Sequence, residues 1–145
     1  MTEPTQVKPS IAFWITAILF LLWNLSGLFA FYGDVTISED ALSALTDAQR
    51  ELYESTPMWL KVVYGIAVFG GTLGCIALLF RKKLSIQLFI ISLIAVIIQM
   101  SYSLLITNVV EVYGMVSVLM PISVVGIGVF LVWYSRRSKN LGWIN

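Results

Sequence analysis

The sequence LSIQLFIISLIAVIIQMSYSLLITNVV, residues 84–110, contains no charged residue over 27 positions. A helix of this length rises about 40 Å at 1.5 Å per residue, whereas the hydrocarbon core of a bilayer is about 30 Å thick. A segment that crosses hydrocarbon must be helical because every backbone donor and acceptor needs a partner there. The stretch therefore predicts a membrane-spanning helix despite its high isoleucine and valine content.

Three further uncharged runs have lengths of the same kind, and they cover residues 11–31, 62–80 and 112–135. The chain of 145 residues is 59% hydrophobic and 12% charged, with a mean hydropathy of +0.89, values that are typical of membrane proteins. We predict one all-α membrane domain that forms a four-transmembrane-helix bundle. Its spans are expected at about 11–32, 58–80, 84–108 and 112–135.

The charged residues are distributed asymmetrically between the two ends of the predicted bundle. Seven of the nine basic residues lie before the first span, between the second and third spans, or after the fourth. The positive-inside rule places this side in the cytoplasm, so both termini of the multi-pass protein are expected there. The seven are Lys8, Arg81, Lys82, Lys83, Arg136, Arg137 and Lys139.

Composition also limits the chemistry. A net charge of +1 argues against nucleic acid as a partner, because phosphate binding needs a concentrated positive surface. With no histidine and the single cysteine Cys75, we expect no metal site and no cofactor. Deep within the spans there is no ionisable group of the kind that general acid–base catalysis or proton coupling requires, so we expect no catalytic residue and no enzyme.

The loop over residues 33–57 is the only long one, and it predicts an external amphipathic helix at about 38–55. Ser38 is the expected N-cap of this helix. The helix is interpreted either as a lid over a cavity or as a connector that lies on the outer end of the bundle. Thr56 is expected to cap the second span, with Pro57 at its first helical position.

Polar side chains within the spans are the candidate functional residues. Asn24 lies 13 residues after Ile11, and Gln99 lies 15 residues after Leu84, which places the two amides at a similar depth of roughly 20 Å. The third span carries a polar stripe at helical spacing that faces the bundle interior. The stripe indicates either a path for a solute or hydrogen bonds that hold helices together. The candidates for contact with a solute are Asn24, Gln99, Tyr102 and Ser103.

Glycine and proline residues predict local features of the spans. Gly70 and Gly74 have the spacing that permits close approach of two membrane helices. Pro121 removes a backbone donor within the fourth span, which predicts a kink there.

The chain resembles a family of small four-span bacterial inner-membrane proteins that are often labelled "sugar transporter". The resemblance covers nearly the whole chain and implies the four-span fold and a sugar as the solute. Members usually carry proline where this chain has Thr46. The motifs that carry it are LWNLSG (22–27), ALSALTDAQRELYESTP (41–57), VFGGTLG (68–74), QMSYS (99–103), MP (120–121), WYSRR (133–137) and GW (142–143).

Two functional hypotheses follow. In the first, the bundle facilitates passage of a small neutral solute such as a sugar and works as a homo-oligomer, because four helices enclose little volume. In the second, the chain is a non-enzymatic accessory or structural subunit that stabilises a larger membrane complex. The polar residues would then pack helices, and the glycine face would meet the partner.

Overall fold

The computed structural model describes residues 7–145, and these residues form helices and connecting turns with no strand. Four of the helices are long and apolar enough to cross a membrane, which confirms the four-span fold of an integral membrane protein. The helices are α1 (Ile11–Val35), α2 (Glu39–Ser43), α3 (Asp47–Glu54), α4 (Met58–Leu79), α5 (Leu84–Leu105), α6 (Val109–Tyr113) and α7 (Val116–Asn140).

The four long helices form a row that closes at one end. Helices α4 and α5 form the most extensive pair, while α1 packs on α4 and α7 packs on α5. We call the end formed by residues 80–83 and 136–145 the basic end, and the end formed by residues 36–57 and 106–115 the acidic end. Helices α1 and α7 meet through aromatic rings towards the basic end, where the centroids of Phe20 and Phe130 lie 5.4 Å apart.

The buried core lies next to the basic end. Ser10 begins α1 as its N-cap, since its hydroxyl accepts a hydrogen bond from the Phe13 backbone nitrogen. This cap fixes the first turn of α1, and Phe13 within it has no exposed surface. Its ring stacks on Tyr134 of α7 at 6.4 Å and meets Trp143 edge-on at 5.7 Å. The core also contains Ala17, Cys75, Leu78, Phe89, Leu131 and Ile144.

The segment 141–145 folds back across the basic end and is tied there by Arg81. Arg81 follows α4 in a left-handed conformation with φ +59°, which is uncommon for a residue other than glycine. Its guanidinium donates to the backbone oxygens of Trp143 at 2.7 Å and Val7 at 3.0 Å. The Asn145 backbone nitrogen in turn donates to the Arg81 oxygen at 3.0 Å. These bonds hold residues from both ends of the chain against the α4–α5 turn.

The loop at the acidic end contains two short helices, so the prediction of one helix over 38–55 is wrong in this respect. Ser38 is the N-cap of α2, as predicted. A second start at Thr46 divides the segment, because its hydroxyl accepts from the Gln49 nitrogen while the Gln49 side chain accepts from the Thr46 nitrogen, each at 3.2 Å. This reciprocal capping box begins α3 as a helix separate from α2.

The predicted ends of the later spans also need correction. Pro57 itself is the N-cap of α4, and the Thr56 hydroxyl instead donates to the Leu52 oxygen at 3.0 Å. The third span ends at Leu105 rather than at 108. The fourth span, predicted over 112–135, is interrupted at Gly114. The φ angle there is +74°, a backbone conformation that residues with a side chain rarely adopt. Its continuous part is α7, which extends to Asn140.

Candidate functional site

A cavity of about 400 Å³ lies between the four long helices, in the part of the bundle between the buried core and the acidic end. Among residues 7–145, no charged residue lines it. Its wall is mostly apolar, with a few hydroxyl and amide groups, as is usual for sites that bind small molecules. The lining residues are Trp23, Asn24, Ser26, Gly27, Ala30, Tyr64, Ala67, Val68, Gly71, Phe89, Ser92, Leu93, Val96, Gln99, Met100, Ser103, Leu104, Met120, Pro121, Val124, Ile127, Gly128 and Leu131.

Asn24 is fixed at the wall of this cavity by bonds to its own helix and to α4. Its amide nitrogen donates to the Phe20 oxygen at 2.8 Å and lies 3.5 Å from Cys75 Sγ. Its amide oxygen is directed at Gly71, and a methyl group at position 71 would collide with that oxygen. Glycine at this position therefore gives Asn24 the space it occupies between α1 and α4.

Gln99 differs from Asn24 in that its amide makes no hydrogen bond with any of residues 7–145. The side chain is partly buried on α5 and lines the cavity together with Ser103, one turn further along the helix. Asn24 and Gln99, which were predicted to lie at a similar depth, both line the cavity, and no hydrogen bond joins their amides. Gln99 thus presents two donors and one acceptor to whatever occupies the space.

Two other polar residues of α5, Ser92 and Tyr102, contact α4, and Ser92 also lines the cavity. Ser92 links two helices, since its hydroxyl donates to the Ala67 oxygen of α4 at 2.6 Å. Tyr102 does not line the cavity, and its ring instead meets Trp59 of α4 edge-on at 5.4 Å. The polar stripe that spacing defines on α5 therefore contains both residues that line the cavity and residues that contact α4.

A second pocket, of about 170 Å³, adjoins the cavity on the side of the acidic end. The two spaces share Tyr64, Gln99 and Ser103 as lining residues. Unlike the cavity, this pocket has charged groups in its wall, one of each sign. Its lining residues are Asp34, Thr56, Leu60, Lys61, Tyr64, Gln99 and Ser103.

Asp34, Lys61 and Tyr64 were not identified as site residues from the sequence. Lys61 and Tyr64 lie near the predicted end of a span, where a lysine commonly extends to water and a tyrosine anchors at the headgroups. A signal was present, because Lys61, Tyr64, Val68 and Gly71 follow helical spacing and so share one face of α4. Glu111, which lies in α6 at the same end of the bundle, is exposed and lines neither space.

The predicted packing residues lie inside the bundle. A methyl group on Gly70 would lie 3.2 Å from Ser92 Cβ, and one on Gly74 would lie 2.7 Å from the Phe89 ring. Both glycines therefore permit the close approach of α4 and α5. Pro121 is part of α7, which continues through it as one helix, and it lines the cavity.

Within residues 7–145 there is no group of three or more His, Cys, Asp or Glu side chains that could hold a metal ion. Comparisons of the chain with protein-family models, with curated proteins and with solved structures found no match. The functional argument therefore rests on the geometry of the cavity and the pocket beside it.

Proposed function

We propose that this integral membrane protein binds a small neutral solute in the central cavity and facilitates its passage across the membrane. The observation that carries the proposal is the amide of Gln99, which lies at the junction of the two spaces without a hydrogen-bond partner among the described residues. The side chain is partly buried and faces the space inside the bundle, so its two donors and its acceptor can bond to a molecule or water in the cavity.

The lining favours a solute without net charge. An ion that enters the cavity would lose its hydration and meet no charged residue in the wall. A neutral molecule with a hydroxyl or amide group would instead satisfy Gln99 and Ser103 while its apolar part contacts Val68, Val96 and Val124. A sugar is the solute that the family resemblance implies, and the volume of about 400 Å³ would hold one.

Passage requires the basic end to open. Below the cavity, the path is closed by the core around Phe13, Phe89 and Leu131, and by the returning segment 141–145. A carrier with this shape would load the solute from the acidic end and release it once α1 and α7 separate at the basic end. In one copy of the chain, residues of α1, α4, α5 and α7 all line the cavity.

The alternative, a subunit that stabilises a larger complex, has less support. That hypothesis uses the glycine face of α4 as a partner surface. Gly70 and Gly74 face α5, and Gly71 faces Asn24 of α1. Neither hypothesis assigns a catalytic residue, and we propose that the protein is not an enzyme.

The Gln99→Leu variant tests the proposal. We expect it to abolish solute binding while the protein folds and accumulates normally, because the Gln99 side chain has no hydrogen bond to lose. The measurement is the thermal unfolding midpoint in detergent with glucose, maltose, glycerol or hexanamide, followed by uptake of any stabilising compound into proteoliposomes. A ligand at ten times its dissociation constant adds about 1.4 kcal/mol of stability.

Gln87→Leu is the matched control for this variant, because Gln87 is exposed on the same helix and does not line the cavity. It should retain both binding and uptake. Loss of folded protein in Gln99→Leu alone would contradict the proposal and support a packing role. A panel without any stabilising compound or uptake would also count against it.

We also propose that the basic end faces the cytoplasm of a bacterial cell, with the protein in the inner membrane and both termini on that side. The support is the concentration of lysine and arginine in residues 81–83 and 136–139. Alkaline phosphatase fused after Asn145 should then be inactive, whereas a fusion after Ser55 should be active, because the enzyme folds only outside the cytoplasm. The opposite pattern would reverse the orientation.

A further inference from the structure

The pocket at the acidic end holds two opposite charges that do not pair with each other. Asp34 belongs to the last turn of α1 and Lys61 to the first turns of α4, and both side chains are partly buried. Among residues 7–145 no ammonium or guanidinium nitrogen lies within 4.0 Å of a carboxylate oxygen. A carboxylate and an ammonium thus line one space of about 170 Å³, which is several times the roughly 30 Å³ that a water molecule takes in the liquid.

Lys61 is held on its side of the pocket by Tyr53 of α3. Its Nζ lies 3.4 Å from the Tyr53 hydroxyl and 4.4 Å from the centroid of the ring. The Tyr53 hydroxyl donates to the Asp34 backbone oxygen at 2.7 Å, which ties α3 to the end of α1. The Asp34 carboxylate accepts no hydrogen bond from residues 7–145. Both charges therefore keep unused hydrogen-bonding capacity within the pocket.

The charged pocket lies beside the apolar cavity, and Tyr64, Gln99 and Ser103 line both. Together the two spaces have a polar part with one charge of each sign and a larger, uncharged part. The molecule that complements both parts has an ammonium group, an anionic group and an apolar body, and its net charge is zero.

We propose that the site takes a zwitterionic amphiphile, with its ammonium group at Asp34, its anionic group at Lys61, and its apolar body in the central cavity. This inference rests on the proposed function and names the class of neutral solute. An apolar amino acid from solution and a phospholipid with an ethanolamine headgroup share this chemistry, so the experiment includes both. The net charge of such a molecule is zero. Its two charged groups would therefore match the pocket, and its apolar body would match the uncharged wall of the cavity.

The test measures binding to the purified full-length protein in a non-ionic detergent, from the dependence of its thermal midpoint on ligand concentration. The zwitterionic probes are leucine and dihexanoylphosphatidylethanolamine. The matched probes are dihexanoylphosphatidylglycerol, which keeps the anion and lacks the ammonium, and hexylamine, which lacks the anion. We expect one zwitterionic probe to bind at least about tenfold more tightly than either matched probe. Which one does so identifies a soluble or a membrane source.

Two single variants locate the charges. Asp34→Asn and Lys61→Met should each weaken zwitterion binding about tenfold or more, since each removes one of the two charged contacts. Glu39→Gln and Lys82→Met change exposed charges outside the pocket and should leave binding unchanged. If a single variant fails to fold, the exchange of Asp34→Lys with Lys61→Asp keeps both charges and should restore part of the binding.

The outcomes separate this inference from the function on which it rests. Equal binding of zwitterionic and singly charged probes, or binding that persists in both single variants, would overturn the inference. If an uncharged solute binds in a manner that depends on Gln99 and the zwitterions do not, the proposed function stands and the inference fails. If no probe of either panel binds, both fail.

Discussion

The Phe13→Ala variant is expected to lose about 3–5 kcal/mol of unfolding free energy, the largest stability effect that the structure predicts for a single site. Phe13 has no exposed surface, and its ring contacts α7 through Tyr134 and the returning segment through Trp143. Its removal leaves a cavity at the point where α1, α7 and residues 141–145 converge. The measurement is equilibrium unfolding of the purified protein in mixed detergent micelles.

Ile15→Ala is the control for this loss, because Ile15 lies on the same helix and is 61% exposed. It should change the unfolding free energy by about 0.5 kcal/mol or less. If both variants lose the same amount, the basic end is not the stable core that the structure describes. A thiol introduced at Ser92 should also react faster with a water-soluble reagent in the Phe13→Ala background, because the closure below the cavity is weakened.

The second large effect is expected from Gly74→Ala, which should destabilise the protein by about 1–3 kcal/mol. The new methyl group would lie 2.7 Å from two carbons of the Phe89 ring. That ring is 2% exposed and surrounded by the core, so it cannot move aside without shifting α5. Alanine has the higher helix propensity, by about 1 kcal/mol, but this gain is smaller than the cost of overpacking.

Gly126→Ala provides the opposite expectation within the same fold. Apart from its chain neighbours and the adjacent backbone of its own helix, no atom of residues 7–145 lies within 4 Å of the position that its methyl group would take, so the propensity gain is not offset by a collision. This variant should be neutral or more stable by up to about 1 kcal/mol. The two variants are compared by thermal midpoint in one detergent. A loss of the same size in both would mean that glycine flexibility, rather than the contact of α4 with α5, sets the stability.

The loop at the acidic end forms two helices where the apolar spacing predicts one. Ser38 was recognised as an N-cap because its acidic first turn follows directly. Thr46 has the same property, with Gln49 three residues later, and this capping box separates α2 from α3. The apolar spacing across 41–52 continues through the break, so periodicity alone predicts one helix. The capping box at Thr46, rather than the apolar spacing, determines where α2 ends and α3 begins.

The candidate site was found only in part. Asn24, Gln99 and Ser103 were selected as uncharged polar residues within spans, and all three line the cavity. Tyr102 satisfied the same criterion and contacts Trp59 instead. The rotation of α5 about its own axis decides which of its polar side chains face the cavity and which face α4. This rotation is set by the packing of α5 against α4. Spacing along one helix gives the relative directions of its side chains but not the direction that faces a neighbouring helix.

The amino-acid sequence by itself determined the number of spans and the exclusion of charge from their central parts. The reason is that hydrocarbon imposes these properties on each segment separately, through helical hydrogen bonding and the cost of buried charge. Tertiary structure alone decided that Asp34 and Lys61 share a pocket and that Gln99 lines both this pocket and the cavity. It also placed Gly74 against Phe89 and the segment 141–145 across the basic end. These contacts join residues of different helices, and they depend on how the helices rotate and approach one another rather than on any single segment.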